Sequence, residues 1–249
     1  MTDHRAMKLG KARPRLSAKT LWISKYFTDA LPPAPESVDW GKNVDPWGMM
    51  RNDEVGDCTC ATAGHLIMDW TTAEGARYVP PDSDILAAYS DITGYDPATG
   101  LNDNGAAELD VLNYWRKTGV SGRKISAFAM VNTRNREHVK ASVWMFGGLY
   151  IGLALPISAQ HQDVWDVVPG EDGEVGSWGG HAVPIVGYDA DGLTCVTWGS
   201  AKRMTWEFFL AYCDEAYAVL SGDWTGIDAK APNGFDVSQL QKDLKAVAA

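Results

Sequence analysis

The hydrophobic pattern of this chain changes near residue 148, and that change limits its fold more than any other feature. Before it, apolar residues recur at helical spacing: within CTCATAGHLIMDW, Ala63, Leu66, Ile67 and Trp70 follow the i, i+3, i+4, i+7 rule of an amphipathic helix. Further helices are predicted over 83–93, over 105–119, where Leu109, Leu112 and Trp115 align ahead of Gly119, and over 135–147, closed by a second glycine. From 148 the stretches GLYIGLALP, AVPIVGYD, GLTCVTWG and MTWEFFLAY read as strands, separated by turns such as DADG. Helices first and strands later predict an α+β protein, a helical portion packed on an antiparallel sheet or barrel. The tail DVSQLQKDLKAVAA is expected to form a last short helix.

The 249 residues suffice for one sizeable domain, or two small lobes sharing a cleft. The segment LPPAPES (31–37) punctuates the chain and separates a leader, 1–33, from a compact domain, 34–249. That domain divides into a helical part at about 50–147, a strand part at about 148–225 and a tail at 226–249.

Charge is distributed unevenly. Residues 1–25 carry seven basic side chains against Asp3, a net of +6, whereas the remainder carries 15 basic and 31 acidic groups, a net of −16. A basic arm of this kind suits contact with nucleic acid or an acidic protein assembly, or plain solvation, while the acidic body argues against the domain itself binding nucleic acid. The most apolar run, WMFGGLYIGLALPI, is broken by glycine and proline, so no membrane span is expected. The basic start lacks the apolar stretch and cleavage site of a secretory signal. A cytoplasmic location is therefore expected, or a virion-associated one if the chain is phage-encoded.

Cys58 and Cys60 stand one residue apart, after a Gly-Asp pair and at the head of the first predicted helix. They could be a metal clip, half of a disulfide, or a nucleophile with a bystander. No second close pair completes a zinc site, since Cys195 and Cys213 lie 18 apart with no histidine between them. DPATGLNDNG lacks the ligand order of a calcium loop, so neither a metal nor another cofactor is expected. His65, on the helix after Cys60, reads as a polar or surface residue, His161 as a solvated loop residue, and Trp40, Trp115, Trp144 and Trp206 as packing residues. Asp103 and the pair Glu171/Asp172 read as solvated turns.

Further along, GGHAVPIVGYD sets His181 at the head of a strand, and VTWG (196–199) follows on the next. Together with SVDW (37–40), ending 18 residues before Cys58, and Asn52, six residues before it, this order and spacing resembles the papain-like cysteine peptidases, in a divergent bacterial or phage form. The resemblance covers residues 34 to 210. It implies a two-lobed fold with a cleft between a helical lobe and an antiparallel β lobe. It also implies Cys58 as nucleophile, Cys60 as bystander, His181 as base, Asn52 as oxyanion donor and Thr197 as the residue orienting the histidine, with Gly180 and Trp198 supporting the cleft. The chain departs from the family pattern in having Val55 where a disulfide-forming cysteine is usual, Thr59 for a tryptophan, Asn52 for a glutamine and Thr197 for an asparagine.

The chemistry fits these roles. A helix N-terminus and a nearby imidazolium both lower a thiol's pKa, and the thiolate is the attacking species. What the resemblance implies is a thiol hydrolase acting on peptide or isopeptide bonds of a peptide or protein substrate. A transglutaminase or amidase uses the same dyad, and a weakened papain-like domain acting as a binding or virion-associated module is the competing expectation, with the basic arm as anchor.

Overall fold

The structure is a computed structural model that describes residues 4–15, 17–225 and 235–248. The predicted helices are present as α1 (Cys58–Ala73), α2 (Asp82–Thr93), α3 (Glu108–Lys117) and α4 (Arg136–Phe146). Two left-handed glycines, Gly94 and Gly147, stop α2 and α4, as a residue free of a Cβ does most cheaply.

Eight strands form one sheet among the described residues: β1 (Val38–Asp39), β2 (Ile125–Met130), β3 (Leu149–Leu155), β4 (Val164–Trp165), β5 (Gly179–Tyr188), β6 (Gly192–Thr197), β7 (Ser200–Thr205) and β8 (Cys213–Ser221). Their order is β2-β8-β3-β5-β6-β7-β4, with β1 attached to β5, so the sheet is open rather than a closed barrel. Pairing is antiparallel except between β4 and β7. The segregation into helices and sheet read from the sequence is present, but two early segments, β1 and β2, join strands that all lie after residue 148.

One predicted strand is largely a helix. Of MTWEFFLAY only Met204 and Thr205 belong to β7, and Trp206–Tyr212 forms α5. Thr205 caps it by accepting the Phe208 amide at 3.0 Å. A short run of aromatic residues has no distinctive period, and here the cap decided. The helix α6 (Gly222–Thr225) follows β8, and the tail forms α7 (Val237–Ala248); the proposed boundary at 226 lies outside the described residues.

The helix α1 differs most from its expected form. One apolar face was expected, yet every residue from Cys58 to Thr71 is buried. A helix covered on all sides is the core of a domain. It packs on β5, with α2 and α3 on its other flanks. Two buried side chains tie it to the sheet side: Tyr150 Oη donates to the Thr59 carbonyl at 2.7 Å, and Trp70 Nε1 donates to the Phe146 and Gly147 carbonyls at 3.0 and 2.9 Å. His65 is therefore buried rather than on the surface. Its Nε2 lies 3.0 Å from the Gly48 carbonyl, and burial lowers its pKa to about 4. His161 is exposed. Trp115 and Trp206 are buried, and Trp40 and Trp144 are half-buried against the core. No helix among the described residues is long and apolar enough to cross a membrane.

Candidate active site

The loop before Cys58 is tightly built. Met50 and Arg51 take left-handed backbone conformations, φ 53° and 69°, which turn the chain so that Asn52 and Val55 amides reach the Met49 and Arg51 carbonyls at 3.0 and 2.8 Å. Asn52 is buried, and one hydrogen of its Nδ2 goes to the Val55 carbonyl at 3.1 Å. The Gly56 amide donates to Asp103 Oδ1 at 2.9 Å, and Tyr89 Oη donates to the same oxygen at 2.9 Å. Asp103 is thus an anchor of the loop before Cys58 rather than a solvated turn. Nothing in its sequence surroundings, NDN before glycine, signals a partner 47 residues away.

Asp57 occupies the N-cap of α1 and is fully buried. Burial pushes its carboxyl up to about 8, against the opposing pull of the Asn52 amide. The next residue, Cys58, opens the helix. Its sulfur accepts the Ala182 amide at 3.4 Å, which brings the head of β5, and with it His181, against the end of α1. All four cysteines are free and buried, Cys60 included.

On the sheet side, His181 Nε2 lies 2.8 Å from Thr197 Oγ1, while Nδ1 is buried with no hydrogen-bond partner among the described residues. Its ring stacks on Trp198, centroids 4.5 Å apart and planes 16° apart. Trp198 and Gly199 form the two-residue turn between β6 and β7, with φ 44° and 73°. Both signs are positive, as a tight type I′ hairpin demands, and for a tryptophan such a conformation costs about 1–3 kcal/mol. The strained turn holds the indole flat over the histidine. The imidazole of His4 stacks on the same indole at 4.9 Å.

Thus Cys58, His181, Thr197, Trp198 and Gly180 converge from three elements, with Asn52 in the adjoining loop. The sequence reading did not foresee what covers them. Residues 8–12 run along the groove between α1 and β5 as an extended strap. The Lys11 amide donates to the Gly180 carbonyl at 3.1 Å, the Ala106 amide to the Gly10 carbonyl at 2.9 Å, and the Ala12 amide to the Ala106 carbonyl at 2.9 Å. Trp198 Nε1 donates to the Lys8 carbonyl at 3.3 Å. Gly10 crosses so closely that a Cβ there would stand 1.7 Å from the Gly56 carbonyl oxygen, so no other residue fits. Its amide also faces the Cys58 sulfur.

Under this strap Cys58 and His181 are both buried. Burial pushes the Cys58 thiol up to about 12 and lowers His181 to about 3, with His4 nearby acting in the same direction on the histidine. Both groups are neutral at pH 7 in this arrangement.

The structure matches xylellain, a cysteine protease from Xylella fastidiosa, with a TM-score of 0.68 over 89% of this chain and 98% of that one at 15% identity. The chain has the papain-like fold. The procathepsin B S9 of Trypanosoma congolense gives a TM-score of 0.60 at 13% identity, covering 86% of each chain. A cysteine protease of Carica candamarcensis gives 0.54 at 15% identity, over 75% of this chain and 99% of that one. Neither a protein-family profile nor a curated protein matches the sequence. Within the papain-like fold the helical layer carries Cys58 and the sheet carries His181.

Proposed function

We propose that this chain is a thiol hydrolase that cleaves peptide or isopeptide bonds through an acyl-enzyme on Cys58. The observation that carries the reading is the meeting of the Cys58 sulfur with the head of β5, where the adjoining His181 keeps one ring nitrogen on Thr197 and leaves the other unpartnered. Nδ1 takes the thiol proton. The thiolate attacks the carbonyl carbon and forms the C–S bond, and the carbonyl oxygen becomes an oxyanion that accepts from the Cys58 amide and, once it turns from its resting partners, from Asn52 Nδ2. His181 then protonates the leaving nitrogen as the C–N bond breaks. Water, deprotonated by His181, attacks the thioester, releases the acid and restores the thiol. Thr197 fixes the imidazole's orientation and Trp198 shields that hydrogen bond from water.

The resting chain is occluded, because residues 8–12 lie where a substrate must pass. The leader 1–33 is on this reading the covering segment of the domain 34–249. Displacing the strap rehydrates the dyad, lets the α1 N-terminus favour the thiolate, and allows the imidazolium to form beside it.

The test is alkylation by limiting iodoacetamide between pH 4 and 9 in a chain carrying Lys11→Ala, which takes away the strap's buried anchor, with the modified cysteine mapped by mass spectrometry. Selective labelling of Cys58 that persists below pH 6 and vanishes in His181→Ala is the expected result. Labelling that rises only above about pH 8, as for an ordinary thiol, would sink the reading. The binding-module alternative then becomes the better account.

A further inference from the structure

Lys11 is an anomaly of the strap. Its side chain is 1% exposed, and it points not to solvent but into a recess beside Cys58. There Nζ meets Asp214 Oδ2 at 2.9 Å, Glu215 Oε1 at 3.2 Å and the Ala12 carbonyl at 3.3 Å. Glu108, the first residue of α3, completes the recess. It is fully buried, and among the described residues neither of its carboxyl oxygens has a hydrogen-bond partner. Three carboxylates for one ammonium exceed what anchoring the strap requires, since burying a charge is costly unless it is paired.

Two backbone features shape this recess. Successive strand residues ordinarily face opposite sides of a sheet. The β3–β8 register, however, passes from Gly152↔Glu215 to Leu153↔Cys213, leaving Asp214 as an extra residue, and this bulge turns both acids of β8 toward one cation. Gly152 forms the floor. A Cβ there would stand 1.9 Å from Lys11 Cε and 2.6 Å from Glu108 Oε1, so only glycine leaves room for the lysine stem. The strap is held on either side of Lys11 by main-chain hydrogen bonds to Ala106 and Gly180, which any extended peptide can form.

We infer that the recess formed by Glu108, Asp214, Glu215 and Gly152 is a specificity subsite for a lysine-type cationic side chain of the substrate, and that Lys11 is its resident occupant. The inference rests on the thiol-hydrolase reading and names its substrate class: polypeptides carrying a basic residue next to the residue that lies over the Cys58 sulfur. Burial alone would lower the Lys11 pKa, but the facing carboxylates of Glu108, Asp214 and Glu215 more than offset it and hold the amine above its ordinary value. The occupant is therefore fully charged. Asp214 and Glu215 are specificity-determining residues, and Glu108 lies behind them at depth, where burial raises its pKa well above the usual carboxylate range.

The experiment uses the full chain carrying Lys11→Ala, which empties the recess. Peptidyl acyloxymethyl ketones with lysine, norleucine or glutamate scanned over the three residues nearest the reactive group are compared by their rates of Cys58 labelling. Lysine is expected to exceed norleucine at least tenfold at one position, with glutamate slowest. Glu215→Gln or Asp214→Asn should bring that ratio below threefold. Equal rates for lysine and norleucine at every position, with iodoacetamide still selecting Cys58, would overturn the subsite and leave the thiol reading intact. If iodoacetamide does not select Cys58, the thiol reading fails and the recess is judged without it. Protease cleavage of the strap is then measured in Lys11→Met, Glu215→Gln and the double variant. Non-additive loosening supports a cation-specific recess, and additive loosening overturns it.

Discussion

The two walls of the cleft are made of different chemistry. The helical wall, which bears Cys58, is lined with acids: Asp57 at the N-cap, Asp103 under Gly56 and Glu108 at the head of α3. On the sheet the surroundings of the His181 ring are aromatic, with Trp198 stacked on the imidazole, Trp178 and Trp165 beside that indole, and a threonine hydroxyl as the only partner of the ring nitrogens among the described residues, while the sheet's acids Asp214 and Glu215 stand two strands away on β8. The contrast suggests a division of labour. The aromatic wall fixes geometry, because a stacked ring has few alternatives, while the acidic wall fixes charge, because carboxylates held without water respond strongly to any proton or cation brought near them.

Removing the base is the harshest way to probe this division. With the strap loosened by Lys11→Ala, adding His181→Ala should lower the Cys58 alkylation rate at pH 6 about a hundredfold, since an ordinary thiol with a pKa of ≈ 8.5 is ionised to only ~0.3% there. A drop confined to a few-fold would mean that the helix N-terminus alone sustains the thiolate. Next in size, Asp103→Ala leaves the Gly56 amide and Tyr89 hydroxyl without their shared acceptor and should cost about 1–3 kcal/mol in urea unfolding. An unchanged midpoint would demote Asp103 from anchor to bystander.

The acidic wall also predicts a pH dependence of stability. Asp57 holds its proton in the folded chain up to about pH 8, whereas an unfolded aspartate releases it near 3.9. The folded state binds the extra proton between those values, so the stability tied to this carboxyl is fully present below about pH 4 and is lost as pH rises through about 8. Asp57→Asn should therefore gain on the parent chain as pH rises from 4 to 8, measured by unfolding at both ends. A constant difference would show that the N-terminus of α1 stabilises the ionised carboxylate in place.

Smaller effects probe the aromatic wall and the surface. Thr197→Val keeps the shape of the side chain but removes the hydroxyl next to Nε2, and should slow Cys58 alkylation at pH 6 by about tenfold or less, the worth of one hydrogen bond. No change would leave Trp198 stacking as the sole orienting device. Arg15 pairs with Asp110 in the open, so Arg15→Ala should shift thermal stability by only ~0–1 kcal/mol, in contrast to buried Lys11 on the same leader.

The basic arm shows what sequence reading could and could not reach. Its charge was legible, but Lys11, Arg15 and Lys25 find their partners in Asp214 and Glu215, in Asp110 and in Asp243, up to 218 residues away. No local pattern encodes such pairings. The short aromatic helix Trp206–Tyr212 was unreadable for a different reason: seven residues, all but Glu207 apolar, fit a strand as well as a helix until the Thr205 cap is counted.

By itself, the sequence determined the α+β segregation, the positions of α1 to α4, and the Cys58, His181 and Thr197 spacings, because hydrophobic period and motif order are local properties. Tertiary structure alone decided that α1 is buried on every side, that Asp103 braces the loop 47 residues before it, and that residues 8–12 lie against β5 and Ala106 with Lys11 among three acids. Those outcomes depend on which surfaces meet and exclude water, and on a one-residue bulge in β8 that redirects Asp214; the free energy of both is set across the fold rather than along the chain.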